Sequence, residues 1–505
     1  MKKHIAVASA GLVMLMFALP VFAATCTSLS SLTLANTTIV SVELVNAGTF
    51  SLPVPAGGRS DAANAFADLP AFCRVLATIK PSSDSDIKIE VWLPANDWNG
   101  KFQGVGNGAW LGSISTAALA DALRHGYATA STDTGHTGGS ASFALGHPEK
   151  IIDYGYRAVH EMTLAAKALT TAFYEKDAQF SYFVGCSAGG KQAMKEVQMF
   201  PADYDGVVAG SPGLNWSGRA LQTIWVGQAV RTSAESVIPR EKFAALNAAA
   251  LAACDGNDGV MDAVIENPLQ CHFDPVVLQC AGADSPACLT AAQVETARKI
   301  YAPVTNSRTQ QVQVAGLSPG SELGWSTMAG AQPFPPGVDL FKYVVFGDAE
   351  WDFTTLNWDS DIDTTVNASV DMDAMNPDLQ AYFDRGGKII SYHGWADPQI
   401  SPGSTVAYYQ TVLEHMGGSS KVQENYRLFM VPGMNHCGGG TGTNTFDMLT
   451  ALENWVEHQQ TPNQINAALE VDALTIRTRP LCSFPQQATY NGAGSTDEAI
   501  NFSCQ

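Results

Sequence analysis

The segment Phe180-Ser-Tyr-Phe-Val-Gly-Cys-Ser-Ala-Gly-Gly190 joins a short β-type run to a Gly-x-Ser-x-Gly pattern. Residues 191–199, which follow, can form a helix, so Ser187 is predicted on a turn between a strand and a helix. A nucleophilic serine needs such a sharp turn, because its hydroxyl must project while glycines keep the surrounding backbone free of clashes. The pattern therefore predicts Ser187 as a nucleophile. The alternative is a glycine-rich turn with a helix-capping serine.

Predicted strands and helices alternate on both sides of this turn. Residues 87–93 alternate apolar and polar side chains as a half-buried strand does, and residues 154–174 have the apolar periodicity of a long helix. The same rhythm returns later in the chain, with predicted strands at 387–392 and 426–431. This order predicts an α/β fold with a mainly parallel sheet.

The segment between these two regions has a different composition. It is rich in Asp, Asn, Pro, Gly and Trp, and it carries four of the cysteines. The simplest interpretation is one catalytic domain, residues 24–215 and 386–505, that is interrupted by a lid domain over residues 216–385. The sequence shows no internal repeat and no low-complexity tract.

The catalytic base is expected on a loop after a late strand. His436 meets this condition, because it follows the predicted strand at 426–431. Cys437 follows His436 directly, just as Cys186 directly precedes Ser187. If the two cysteines are bonded, the disulfide holds the serine and histidine loops against each other.

The acid of a catalytic triad is expected between the serine and the histidine. Asp397 lies on the loop that leaves the predicted strand at 387–392, where it can orient His436 and stabilise the imidazolium. The order Ser187, Asp397, His436 is the chain order of the α/β-hydrolase fold. Six other histidines compete poorly, because they lie in helical patterns or before the nucleophile: His125, His136, His147, His160, His415 and His458. His393 lies close to the acid and is interpreted as lining the site.

Two backbone N–H groups are needed to stabilise the oxyanion of acyl transfer. One normally comes from the residue after the nucleophile, which here is Ala188. The second is expected from the early glycine-rich loop Gly104-Val-Gly-Asn-Gly108, and we assign it to Gly108. A nucleotide-phosphate loop is the alternative, but the segment lacks the Gly-Lys-Ser/Thr of that motif.

The N-terminus predicts export. Lys2-Lys3 precedes an apolar run over residues 5–22, and Val21-Phe22-Ala23 offers small residues for cleavage after Ala23. Residues 1–23 are therefore predicted to be a signal peptide, with an N-terminal membrane anchor as the alternative. No later apolar stretch has spanning length. We therefore expect a secreted or periplasmic protein that does not stay inserted in a membrane once the signal is removed.

Charge and cysteine content limit the partners. The formal net charge of −20 argues against nucleic acids and anionic membranes, and it favours neutral ligands or divalent cations. Ten cysteines, all after the predicted signal, indicate disulfides rather than thiols or zinc ligands in an exported chain. Short spacings suggest three local pairs: Cys254 with Cys271, Cys280 with Cys288, and Cys482 with Cys504.

The chain resembles the tannase and feruloyl esterase family, whose triad serine and histidine are flanked by disulfide-bonded cysteines. The resemblance is carried by Cys186-Ser187, Asp397 and His436-Cys437, together with residues 201–212 and 393–398. Mono(2-hydroxyethyl) terephthalate hydrolase is similar and belongs to the same group. The resemblance implies an α/β-hydrolase fold with a large lid insertion and hydrolysis of aromatic acid esters. It also implies five disulfides: Cys26–Cys73, Cys186–Cys437, Cys254–Cys271, Cys280–Cys288 and Cys482–Cys504.

A second informative segment is Cys254-Asp-Gly-Asn-Asp-Gly-Val-Met-Asp-Ala-Val264. Carboxylates interleaved with glycines can wrap a hard cation, although the spacing is not that of an EF-hand. The resemblance implies a structural Ca²⁺ that is bound by the side chains of Asp255, Asp258 and Asp262 and by the backbone carbonyls of Val260 and Val264. The alternative is an acidic, solvated turn.

The expected partner is a small aromatic ester. Trp325 is assigned as a substrate contact among the aromatic residues of the lid. Lys342 is the one cation between Arg308 and Arg385 in the sequence. A substrate with a free carboxylate usually requires an arginine, so we expect neutral phenolic esters of the gallate or hydroxycinnamate type. The alternatives are a terephthalate monoester hydrolase and, in another class, a non-catalytic binding protein on a hydrolase scaffold.

Overall fold

The computed structural model describes residues 25–52 and 65–505, and its β-strands are short. They are β1 (Thr37–Val45), β2 (Phe72–Ile79), β3 (Ile87–Pro94), β4 (Lys101–Val105), β5 (Ala128–Thr132), β6 (Phe180–Cys186), β7 (Gly206–Gly210), β8 (Val304–Thr305), β9 (Val312–Val314), β10 (Lys388–Gly394), β11 (Tyr426–Val431), β12 (Gln464–Val471), β13 (Leu474–Cys482), β14 (Ala488–Tyr490) and β15 (Phe502–Cys504).

Nine of these strands form one central sheet in the order β1-β2-β3-β5-β4-β6-β7-β10-β11. The pairs among β1, β2, β3 and β5 are antiparallel, whereas every pair from β5 to β11 is parallel. The carboxyl ends of parallel strands meet at one edge of a sheet, which is where α/β proteins place their sites. The α/β-hydrolase fold predicted from the order of the motifs is confirmed.

The α-helices pack on the sheet or belong to the inserted segment. They are α1 (Thr116–Arg124), α2 (Pro148–Ile152), α3 (Ala158–Tyr174), α4 (Ala188–Met199), α5 (Trp216–Val230), α6 (Phe243–Cys254), α7 (Ala291–Tyr301), α8 (Pro335–Asp339), α9 (Asp361–Ala368), α10 (Gln380–Asp384), α11 (Pro402–His415), α12 (Ser419–Val422) and α13 (Met448–His458). The helix predicted at 154–174 begins in a π-helical turn, Asp153–Arg157, which joins α2 to α3.

The central strands are apolar because both faces of the sheet are covered. Every residue of β7, Gly-Val-Val-Ala-Gly, is buried. Val207 and Ala209 belong to the apolar core on one face, and Val208 belongs to the core on the other. Burial on both faces is the reason that these strands show no polar alternation.

The segment between β7 and β10 contributes no strand to the central sheet within the described residues. It contains α5 to α10 and the small β8–β9 sheet, and we call residues 216–385 the lid. Trp110, beside the glycine-rich loop, donates its indole N–H to Pro336 O of the lid at 2.9 Å. Ser217 donates to the carboxylate of Asp373, so both ends of the lid are bonded together.

Five disulfides form, and all five predicted pairs are confirmed: Cys26–Cys73, Cys186–Cys437, Cys254–Cys271, Cys280–Cys288 and Cys482–Cys504. The predicted signal peptide, residues 1–23, lies outside the described residues. Within the described ranges, no helix combines the length and the apolarity needed to cross a bilayer.

Candidate active site

Ser187 forms the turn between β6 and α4, with φ of +64° and ψ of −121°. A positive φ is strained for a residue with a side chain, so the neighbouring backbone must hold it. A Cβ on Gly185 would lie 2.4 Å from the carbonyl carbon of Gly189. A Cβ on Gly189 would lie 3.1 Å from Asn107 O. Glycine is therefore required at residue 185 and favoured at residue 189, and the predicted strand-to-helix turn is confirmed.

Asp397 is fully buried and faces His436. Its Oδ2 lies 2.6 Å from Nδ1 of His436, and its Oδ1 accepts the backbone N–H groups of Gln399 at 2.8 Å and Ile400 at 3.0 Å. Burial alone would raise the pKa of Asp397. The charge of His436 and hydrogen bonds from His393 and His436 instead hold this pKa far below its usual value. Asp397 is therefore a permanent carboxylate.

His393 is a second partner of the acid. Its ring is fully buried, with Nε2 at 3.1 Å from Asp397 Oδ2 and 3.2 Å from Ile400 O. Both partners are acceptors, so Nε2 carries the proton, and Nδ1 accepts from Thr405 Oγ1 at 2.8 Å. His393 thus lies behind the acid and holds it in place, whereas His436 keeps 13% of its side chain exposed.

The Cys186–Cys437 disulfide joins the serine and histidine loops, and the Cα atoms of the two cysteines are 6.0 Å apart. The backbone N–H of Cys437 also donates to Ser211 Oγ at 3.4 Å, at the end of β7. In the described part of the chain, no hydrogen bond joins Ser187 Oγ to His436. The disulfide between their neighbours is therefore the direct covalent link between the two loops.

The glycine-rich loop after β4 lies against the start of α4. The N–H of Gly106 bonds Val184 O at 3.0 Å, and the N–H of Asn107 bonds Gln192 Oε1 at 3.2 Å. The N–H of Gly108 has no hydrogen-bond partner among the described residues. The N–H of Ala188, the first residue of α4, likewise has none there. Both predicted oxyanion residues therefore keep a free backbone donor.

Lys191 is a buried residue of α4 that the sequence analysis did not single out. Its ammonium donates to Gly155 O at 2.9 Å and lies 5.0 Å from the ring of Tyr154 and 5.9 Å from that of Trp216. Desolvation lowers its pKa to about 7, with a further contribution from the charge of Lys195. Helical spacing alone does not distinguish this lysine from an exposed one.

The structure contradicts the assignment of Trp325 as a substrate contact. The indole is fully buried, donates to Ser321 Oγ at 2.9 Å and packs edge-on against Tyr301 and Phe243. It fills the apolar core of the lid and presents no surface to a ligand. Most aromatic side chains serve packing, and composition alone could not separate this one from a ligand-binding residue.

The predicted calcium loop follows α6 directly. Asp255 accepts the backbone N–H groups of Asp262 and Ala263, and Asp258 accepts that of Val260. The carboxylate of Asp262 is also paired with Arg479. Among residues 25–52 and 65–505, the three aspartates do not form a group with one oxygen from each within 4.8 Å of the others. The donor chemistry fits a hard cation, and the loop must tighten to bind one.

Removal of the disulfide beside the site is expected to reduce activity as well as stability. The double substitution Cys186→Ser with Cys437→Ser should lower kcat/KM for an ester at least about 10-fold, because proton transfer requires precise placement of the two loops. The free energy of unfolding should fall by roughly 2–4 kcal/mol. The matched control is Cys280→Ser with Cys288→Ser in the lid, which should reduce stability and leave kcat/KM unchanged. Equal kcat/KM values for the two double variants would contradict this positioning role.

Lys191 is expected to make stability rise with pH. The folded state loses this proton near pH 7, whereas the unfolded chain keeps it to about pH 10.4, so the unfolded state binds more protons in between. Urea unfolding at pH 6.5, 8 and 9 should show a free energy of unfolding that rises more steeply for the wild type than for Lys191→Met. The exposed Lys176→Met is the control and should follow the wild type. A Lys191→Met protein with the wild-type slope would refute this assignment.

Comparison with known proteins places the chain in a family. It matches the family model described as tannase and feruloyl esterase over residues 73–505. It is 39% identical to an uncharacterized esterase of Xanthomonas campestris pv. campestris, over 95% of this chain and 91% of the relative. It is 34% identical to feruloyl esterase C of Talaromyces stipitatus, over 92% of this chain and 91% of the relative.

Solved structures of this family have the same fold as this chain. Feruloyl esterase B from Aspergillus oryzae has a TM-score of 0.87 at 31% identity, over 95% of this chain and 99% of that chain. Tannin acyl hydrolase from Aspergillus niger shares the fold, with a TM-score of 0.76 at 23% identity over 93% and 92% of the two chains. The chain therefore belongs to the tannase and feruloyl esterase family and is a carboxylic ester hydrolase.

Proposed function

We propose that this chain is an exported serine esterase that hydrolyses esters of aromatic, phenolic acids such as gallate or hydroxycinnamate esters. One observation carries the proposal. Asp397 Oδ2 lies 2.6 Å from Nδ1 of His436, and the loop of His436 is joined to the turn of Ser187 by the Cys186–Cys437 disulfide. The similarity to feruloyl esterases B and C supports an aromatic acyl group.

The proposed mechanism is acyl transfer through a covalent intermediate. His436 takes the proton of Ser187 Oγ while the oxygen attacks the ester carbonyl, and Asp397 stabilises the imidazolium that forms. The C–O bond to the alcohol then breaks as His436 returns the proton to the leaving oxygen. Water attacks the acyl-enzyme with His436 again as base, which releases the acid and restores the serine hydroxyl.

Ala188 and Gly108 are proposed to stabilise the oxyanion. The N–H of Ala188 opens α4, where the helix dipole adds to the hydrogen bond. The loop of Gly108 is held against the same helix by a reciprocal pair of bonds between Asn107 and Gln192. Because both donors are fixed before the substrate binds, they need not reorganise when negative charge develops.

Hydrolysis of a terephthalate monoester is the second candidate. The sequence argument against it was that Lys342 is the one cation between Arg308 and Arg385, and the structure weakens that argument. Arg219, from the first helix of the lid, is buried close to Asp397. A cation from outside the segment between Arg308 and Arg385 therefore lies near the triad.

Export is proposed from the signal-like residues 1–23, which precede the described part of the chain. Five disulfides support an oxidising compartment, because cytosolic thiols are kept reduced. The proposed location is the periplasm or the extracellular medium, and the proposed partner is a small aromatic ester rather than a nucleic acid.

A structural Ca²⁺ is proposed in the lid, bound by Asp255, Asp258, Asp262 and the carbonyls of Val260 and Val264. Burial raises the pKa of Asp258 and of Asp262, and neighbouring carboxylates act in the same direction, whereas the charges of Arg479 and Arg477 oppose this rise at Asp262. A divalent cation would add to this compensation of the carboxylate charges and stabilise the loop between Cys254 and Cys271. It would take no part in the acyl-transfer steps.

Substitution Ser187→Ala is expected to abolish ester hydrolysis. The kcat for methyl ferulate, methyl gallate and mono(2-hydroxyethyl) terephthalate should fall by at least about 10⁴-fold, because no other group can form the acyl-enzyme. The wild type should show a higher kcat/KM for one of the two phenolic esters than for the terephthalate monoester. The control is Ser420→Ala, an exposed serine of α12, which should keep the wild-type rates. Equal rates for Ser187→Ala and the wild type would support a binding protein, and preference for the terephthalate ester would support the second candidate.

Calcium is expected to stabilise the folded chain without changing its chemistry. Chelation with EDTA should lower Tm by roughly 5 °C, and added Ca²⁺ should restore it. The variant Asp258→Asn should start at the lower Tm and respond to neither reagent, whereas Glu350→Gln, an exposed lid substitution, should behave as the wild type. Activity of the wild type well below Tm should not depend on EDTA. A wild-type Tm that is insensitive to both reagents would remove calcium from the proposal.

A further inference from the structure

Arg219 in α5 is a buried cation without an ionic partner. It is 5% exposed, and none of the described carboxylates lies within 4.0 Å of its guanidinium nitrogens. Arg74, Arg157 and Arg479 are also largely buried, and each of them is paired with a carboxylate. Burial of an unpaired guanidinium is strongly unfavourable, so such a residue calls for a partner. In a chain with a net charge of −20, the lack of one is unusual.

The donors of this guanidinium are largely unused. Its carbon lies 5.3 Å from the ring of Trp216 and 5.0 Å from that of Phe334, so two aromatic rings pack against the group. Guanidinium N–H groups lie in the plane of the group, at the edge that stacking leaves open. Nε donates to Gln399 O at 3.4 Å. The terminal Nη atoms have no partner in the described ranges, and they are not sealed from solvent.

The group lies beside the proposed triad. Gln399, which accepts from Nε of Arg219, donates its own N–H to Asp397 Oδ1. Gly213, just before α5, donates its N–H to the carbonyl oxygen of Ser187 at 3.1 Å. The helix that carries Arg219 is therefore tied to the nucleophile at its start and to the acid loop one turn later.

We infer that Arg219 recognises an oxygen at the far end of the aromatic acyl group through its free Nη donors. The inference rests on the proposed esterase function and adds the residue that selects the acyl group. The aromatic part of the proposed substrates is their acyl moiety, and the half-buried ring of Phe334 beside Arg219 offers it a stacking surface, whereas Trp216 is buried and packs only against the guanidinium. The lid thus supplies a polar anchor, and the catalytic domain supplies the chemistry.

The ligand chemistry is that of an acceptor oxygen on the ring. A phenolic oxygen and a ring carboxylate both accept hydrogen bonds in the plane of the ring, and a carboxylate can engage both Nη groups at once. An unsubstituted ring leaves the buried guanidinium unpaired and loses this contribution. Arg219 is therefore expected to discriminate between acyl groups that carry such an oxygen and those that lack it.

Two matched ester pairs test the inference. Methyl 4-hydroxycinnamate and methyl cinnamate differ only in the phenolic hydroxyl, and monomethyl terephthalate and methyl benzoate differ only in the carboxylate. In the wild type, kcat/KM should be at least about 10-fold higher for the oxygenated member of one pair, as expected for a charge-assisted hydrogen bond. Arg219→Met should reduce that ratio to about 1, whatever its effect on the parent ester. The responding pair identifies the oxygen.

The outcomes separate this inference from the proposed function. If Arg219 acts only on the loop of Asp397, Arg219→Met will lower kcat for both members equally and leave the ratio unchanged, which would overturn the inference. If the wild type hydrolyses none of the four esters, the proposed esterase function fails. Should Arg219→Met be unfolded, as judged by circular dichroism, Arg219→Lys takes its place. Lysine keeps the positive charge but lacks the planar guanidinium. The logarithm of the kcat/KM ratio within the responding pair should fall by at least half. An unchanged ratio would again overturn the inference.

Discussion

Close approach of backbone to backbone at the turn of Ser187 is the constraint on which the rest of the site depends. The start of α4 lies directly against the loop after β4, with the glycine Gly189 facing Gly106. This close packing of backbone holds a serine at a positive φ and brings the loop of Gly108 against the start of α4. The sheet supplies the necessary rigidity, since β6 lies between β4 and β7 and is hydrogen-bonded to both.

The second requirement is a carboxylate that stays ionised in an apolar interior. Asp397 is removed from water, yet its pKa lies far below the usual value because of the charge of His436 and the hydrogen bonds from His393 and His436, and backbone N–H groups also bond its other oxygen. His393 is bonded in turn to Thr405 on α11, so the acid is held from behind by a separate element. A carboxylate fixed in this manner selects one tautomer and one orientation of His436 without needing solvent.

The features that were predictable from the sequence share a local signature. The strand-to-helix turn, the sheet strands near residues 87, 388 and 426, and the five disulfides follow from periodicity, from glycine positions and from the family pattern of cysteines. Trp325 was assigned wrongly because burial depends on which helix packs over a side chain, and composition does not report this. Arg219 and Lys191 were missed for the same reason. Each lies on an ordinary helix. Only the tertiary arrangement leaves Arg219 without a carboxylate partner and removes water from Lys191.

The disulfide near the site also has a consequence for how the chain must mature. Cys186 and Cys437 are separated by 251 positions, and the four lid cysteines lie between them. A chain that emerges from its N-terminus therefore presents Cys186 to those thiols long before its own partner arrives. The lid pairs are separated by only 17 and 8 positions, and short loops close most readily. Early closure of the two lid bonds would leave Cys186 for Cys437, which follows β11, the last strand of the central sheet in the chain.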